Sequence, residues 1–153
     1  MNKLEYIPGD LVMTNGMPLG TVKDVVYRVT ASDPSATLEL GDGTVLKGSL
    51  CLENIEGAKF GEKGYLLGES FAWVKDIVPI PLTPEILEKS GWKLCYGFYF
   101  STNEEGAVIR LSSKTGYVWD AYVGIRPLRS GINNVSDLQH LLFGLGINHE
   151  MEV

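Results

Sequence analysis

Nucleophilic catalysis needs a nucleophile, a base and an orienting group brought close together. The chain offers two cysteines, Cys51 and Cys95, and two histidines, His140 and His149. Their spacing forms no C-x-x-C pair and no zinc-ligand set. No G-x-S-x-G elbow occurs. The sequence brings neither cysteine to a histidine, and both cysteines read as half-buried strand residues. Carboxylates for acid–base work would come from Asp10, Asp24, Asp42, Glu104, Glu105 and Asp120; most sit in turn sequences, where Asp satisfies local backbone groups. Asp120 differs, lying within a strand beside Trp119 and Tyr122, on the face expected for Arg110. A cross-strand pair of Asp120 with Arg110 is the structural expectation; contact of Asp120, Arg110 and Tyr122 with a polar ligand is the functional one. The loops "GDGT" and "GEKG" lack the spacing of a phosphate cradle. The expectation is therefore no enzyme, no metal and no cofactor.

Composition narrows the partner. The 153 residues carry a formal charge of −6, with 7 basic against 11 acidic residues up to Ile80 and 6 against 8 afterwards. Neither half has a basic run, so nonspecific nucleic-acid binding is disfavoured. A basic face would have to be built from Lys23, Arg28, Lys47, Lys59 and Lys75. The start "MNKLEYIPGD" lacks a signal-peptide core, and no apolar run approaches a membrane span, which points to the cytoplasm and away from a membrane.

The elements that must position these residues fall into two parts. Up to Val78, short apolar runs alternate with glycine turns. Asn15-Gly16 signals a hairpin, residues 20–30 read as a longer strand, "ASDPSA" as a loop, and "ATLELGDGTVLKGSLCL" as two strands about Asp42-Gly43. So many short strands suggest a small barrel. Then "PIPLTPEILEKSGW" reads as a short helix. Thr83 caps it, Pro84 sits at its first position, Leu82 and Leu87 close over the cap, and Gly91 stops it. Ile86 and Leu87 are its expected buried residues.

Three strands follow as a meander. Leu94, Tyr96, Phe98 and Phe100 share one face of the first; Ala107, Ile109 and Leu111 of the second; Tyr117, Trp119, Ala121, Val123 and Ile125 of the third. "VSDLQHLLFGLG" closes the chain as a helix, with Ser136 and Gln139 as a capping box and a buried stripe of Leu138, Leu141, Leu142 and Leu145. His140 and Phe143 face outward, where they could meet a partner.

The opening "PGDLVM…GMPLGTVKDVV" is similar to SH3-like and PRC-barrel domains through Gly16, Leu19, Gly20, Val22 and Asp24. Most of the chain resembles a family of small proteins of gut bacteria, their phages and prophages. Those proteins carry a "PIPLTEE…GF" segment and a terminal "VHxLQNLYFALTG" segment. Pro79, Ile80, Pro81, Leu82, Thr83, Glu85 and Leu87 match the first segment; Val135, Leu138, Gln139, Leu141, Phe143 and Leu145 match the second. Ser136 stands at the family's histidine and His140 at its asparagine. The resemblance implies origin and architecture and carries no activity with it.

Together these readings predict an α+β protein, with a small SH3-like β-barrel over residues 1–78. It would pack on an antiparallel β-meander with two helices over residues 79–153. The expected function is a non-enzymatic protein-interaction module of phage or prophage type, with His140 and Phe143 at the contact. Nucleic-acid association through the barrel is the alternative, and a ligand-binding or hydrolase domain around Asp120, Arg110 and Tyr122 the third reading.

Overall fold

A computed structural model describes residues 6–55, 66, 68–101, 109–146 and 149–153. The chain divides into two compact units, Met1–Ile80 and Pro81–Val153.

The first unit holds one antiparallel sheet of β1 (Leu11–Thr14), β2 (Tyr27–Glu39), β3 (Val45–Asn54), β4 (Ser70–Trp73) and β5 (Ile77–Val78), in the order β4-β3-β2-β1-β5. The β2–β3 hairpin turns at Asp42-Gly43: Gly43 takes φ +88° and the Thr44 N–H donates to the Asp42 carboxylate at 2.9 Å. Tyr27, Val29, Leu50, Leu52, Ala72 and Ile77 form its core with Tyr6, Val12 and Leu66.

Three expectations are corrected here. The small SH3-like barrel does not form, because the sheet stays open. β4 pairs only with β3 and β5 only with β1, and no ladder joins β4 to β5 among the described residues. The chain between them spends its backbone groups on a 3-10 turn, Val74–Asp76, where Ile77 N–H returns to the Val74 carbonyl and the Asp76 carbonyl accepts from Asn15 N–H at 3.0 Å. The "ASDPSA" loop is instead part of β2; a register shift between Asp33 and Thr37 absorbs Pro34, as bulges do. Residues 15–26 are neither a tight hairpin nor a strand. They form a connection stapled by Thr14 to Thr21 (3.0 Å), Thr21 to the Pro18 carbonyl (2.7 Å) and Val22 N–H to the Tyr27 hydroxyl (2.8 Å). Gly16, Gly20 and Asp24 all take positive φ there, and Leu19 and Val22 are exposed.

The second unit runs α1 (Pro84–Lys89), β6 (Lys93–Cys95), β7 (Phe98–Phe100), β8 (Ile109–Ser112), β9 (Trp119–Val123), β10 (Arg126–Ile132) and α2 (Val135–Gly144). Its strands form a five-stranded antiparallel meander in sequential order, not a three-stranded one. The two extra strands come from two-residue turns inside runs that read as single strands. Tyr96 and Gly97 take φ 51° and 80°, the type I′ arrangement, and reverse the chain between Cys95 and Phe98. Gly124 at φ 59° with Ile125 reverses it between Val123 and Arg126.

The α1 cap is as expected: Ile86 N–H donates to the Thr83 hydroxyl at 3.4 Å, Pro84 opens the helix, and Leu82 and Leu87 are buried. Ile86 is half-buried. The α2 cap differs. Asn134, not Ser136, accepts from Asp137 N–H at 2.8 Å. The helix therefore starts earlier, and its buried face is Val135, Ser136, Leu138, Gln139 and Leu142. Leu141 is half-buried and Leu145 exposed.

Candidate functional site

In the second sheet, pairing decides which side chains share a face. Tyr99 opposes Leu111, which opposes Ala121; Ile109 opposes Val123. Tyr99, Ile109, Leu111, Trp119 and Ala121 are all buried. This is the side of α1: the Tyr99 hydroxyl donates to Glu88 at 3.3 Å, and the Trp119 indole N–H to the Leu82 carbonyl at 2.9 Å. Burial, with the Glu88 charge beside it, pushes the Tyr99 phenol up. Phe98 and Phe100 thus point away from the core, opposite to the face expected for the meander. The two-residue loop at Tyr96 sets this parity.

The other face carries Phe98, Phe100, Arg110, Ser112, Asp120 and Tyr122, all half-buried. Lys93 and Cys95 join it, opposite Phe100 and Phe98. Its centre is Arg110. The guanidinium carbon lies 4.5 Å from the Phe98 ring centroid and 5.0 Å from that of Tyr122. Phe98 meets Phe100 edge-on at 6.4 Å. Each ring's negative face attracts the cation, so three neighbouring strands hold one guanidinium between aromatic groups.

The expected pair of Asp120 with Arg110 is absent from the described residues. Arg110 opposes Tyr122, while Asp120 opposes Ser112, two pairs further along. Ion pairs among the described residues include Arg28 with Glu53, Lys75 with Asp76 and Arg129 with Asp137. The Arg110 Nε is buried and has no hydrogen-bond acceptor among the described residues. A buried donor left without an acceptor costs about 1–3 kcal/mol. The sequence placed Arg110, Asp120 and Tyr122 on one face. It missed Phe98 and Phe100, whose only signal is their distance from the Tyr96-Gly97 turn.

Phe143 is 57% exposed on α2, and its ring meets that of His149 edge-on at 5.3 Å. His140 is half-buried on the same helix. Buried Gln139 donates to the His149 carbonyl at 2.9 Å, so the C-terminal tail is tied to α2. Cys51 is half-buried in β3, where desolvation and the Glu69 carboxylate push its thiol up, away from the reactive thiolate. Cys95 is exposed rather than half-buried.

Among the described residues no group of three His, Cys, Asp or Glu side chains could hold a metal, and no helix is long and apolar enough to cross a membrane. Of the basic set, Arg28 and Lys75 are paired with Glu53 and Asp76, and Lys23 and Lys47 are exposed. Lys59, Glu104, Glu105, Ala107 and the "GEKG" loop lie outside the described residues. Compared with protein-family models, curated proteins and solved structures, the chain matches none.

Proposed function

We propose that this chain is a protein-interaction module whose contact surface is the open face of its second sheet. Arg110 is the anchor, Phe98, Phe100 and Tyr122 are the apolar platform, and Asp120 and Lys93 are the charged rim. The observation that carries the reading is Arg110 itself, held between two rings, with neither an acceptor for its buried Nε nor a carboxylate partner among the described residues. Aromatic and arginine side chains dominate the energetic centres of protein interfaces, and the aromatics bury much surface while losing little freedom. A guanidinium already fixed between rings has lost its rotamer entropy before a partner arrives. The partner it suits is a protein segment that brings a carboxylate to the exposed part of Arg110 and apolar side chains to the rings.

The resemblance to gut-bacterial and phage proteins tells where to look for that partner. Capture from the producing cell, followed by amine cross-linking and mass spectrometry, tests the reading. A partner bound through this face cross-links at Lys93. It is lost from Arg110→Met and Tyr122→Ser but kept by Phe143→Glu. The opposite pattern, kept by the first two and lost from Phe143→Glu, moves the contact to α2, where His140 and Phe143 sit.

One observation favours a second reading. Aromatic side chains on neighbouring strands of an open sheet also stack bases of single-stranded nucleic acid. The net charge of −6 works against it. Recovery of nucleic acid that wild type retains and Arg110→Met releases would replace the first reading with this one.

A further inference from the structure

The second sheet ends in two unlike edges. Natural sheets protect free edges with proline, charge, bulges or glycine kinks, because an unprotected edge pairs with another strand. β10 has all of these: Arg126, Pro127 and Arg129, two register shifts, and Gly131 at φ 74°. β6 has almost none. Its pairing with β7 is regular over Lys93, Leu94 and Cys95, all three residues are exposed, and its one charge is Lys93. Leu94 is 58% exposed and the adjoining Tyr96 95%. Tyr96 also sits at φ 51°, a left-handed conformation unusual for an aromatic residue.

The hydrogen-bond phase of the sheet shows which backbone groups β6 leaves free. Ser101 N–H donates to the Ile109 carbonyl at 2.9 Å. Bonding therefore alternates so that Tyr99 faces β8, while Phe98 and Phe100 face β6. Their partners Cys95 and Lys93 spend their backbone groups on β7. Leu94, opposite Tyr99, turns its N–H and C=O to the outer edge, where no strand pairs with it among the described residues. Beyond it, Trp92 N–H is already given to the Leu87 carbonyl at 2.9 Å, so the free edge is centred on Leu94.

We propose that β6 pairs antiparallel with β6 of a second copy of this chain, about a two-fold axis at Leu94. The strand is complementary to itself in that register. Leu94 meets its own counterpart and exchanges both backbone hydrogen bonds with it. Lys93 faces Cys95 of the other copy, so no like charges stand directly opposite, and the Trp92 carbonyl comes level with Tyr96 N–H of the other copy. The result is one ten-stranded sheet whose two open faces, each with its Arg110, lie on the same side. The pairing does not depend on what those faces bind. The interface is small, so the dimer is weak, with a dissociation constant on the order of 10–100 µM.

Sedimentation equilibrium of the full chain tests the state, and two variants test the register. Leu94→Lys sets two like charges against each other and raises the dissociation constant at least about tenfold. Circular dichroism matching wild type shows that this exposed site has not unfolded the unit. Leu94→Cys, in a Cys51→Ala/Cys95→Ser background, places two thiols opposite each other with Cα atoms about 5.5 Å apart, within disulfide range; mild oxidation then gives a covalent dimer. A wild type that stays monomeric to about 1 mM, well above the expected constant, overturns the proposal. So does a dimer that Leu94→Lys leaves intact, or a Leu94→Cys chain that does not cross-link.

Discussion

Replacing Arg110 by Met separates a residue kept for folding from one kept for binding. Methionine preserves an unbranched stem between Phe98 and Tyr122 and removes only the guanidinium. Two cation–π contacts are lost, at about 0.5–1 kcal/mol each for a half-exposed site. Sulfur–aromatic contact at the same rings returns about 0.3–1.5 kcal/mol. Removing the unsatisfied Nε relieves a further cost of about 1–3 kcal/mol. The balance runs from about 0.7 kcal/mol destabilising to about 3.5 kcal/mol stabilising. Urea unfolding followed by tryptophan fluorescence measures it. The chain has three tryptophans, and in a Trp73→Phe background only Trp92 and Trp119 remain, both in the second unit. A loss above about 2 kcal/mol would refute the reasoning. It would make Arg110 a structural residue whose stack holds the sheet together, and the open face would lose its anchor.

Further outcomes follow from other contacts. Trp119→Phe strands the buried Leu82 carbonyl and shortens the ring that meets Tyr99. It should cost about 2–4 kcal/mol, and a urea midpoint within error of wild type would show that the bond is not made in solution. Leu138→Asp buries an unpaired charge and should abolish cooperative unfolding of the second unit, while Phe143→Glu, on the exposed side of α2, stays within about 0.5 kcal/mol; equal effects would mean the helix is rotated from its described position. At Asp76, burial alone would raise the carboxyl, but hydrogen bonds from Lys75 and Asn15 and the lysine charge outweigh it and hold the pKa below the usual carboxylate value. Because the folded pKa is depressed, its stabilisation is present above the unfolded value of about 3.9 and fades as pH falls through the lower folded one. Asp76→Asn should therefore flatten the stability of the first unit against pH below about pH 4, and an unchanged acid profile would show the cluster is not formed.

Where local chemistry decides the structure, the sequence was readable. Thr83, Pro84 and Leu87 specify α1 by contacts within a few residues, and Asp42-Gly43 specifies its turn the same way. The failures share a different cause. "KLCYGFYFS" alternates like a strand, and nothing in its composition marks Tyr96 as a turn residue at positive φ. The turn is set by sheet pairing on both sides. It inverted the expected face of Phe98 and Phe100 and so hid half of the candidate site. Asp120 and Arg110 shared a face as expected, but register put Tyr122 opposite the arginine and Ser112 opposite the aspartate. The open edge of the first sheet was not legible either, because closure depends on whether β4 and β5 pair across a 3-10 turn. For α2, both Asn134 and Ser136 are good caps; the structure uses the first, and packing buries Val135, Leu138, Gln139 and Leu142 while Leu141 stays half-buried.

The most direct measurement is calorimetric titration of the captured partner against wild type and Arg110→Met, with the urea midpoint of each recorded beside it. The account predicts at least about tenfold weaker binding, or 1.4 kcal/mol, by a variant that is no less stable than about 1 kcal/mol below wild type. Unchanged affinity in a folded variant would contradict it and take the contact surface away from the second sheet.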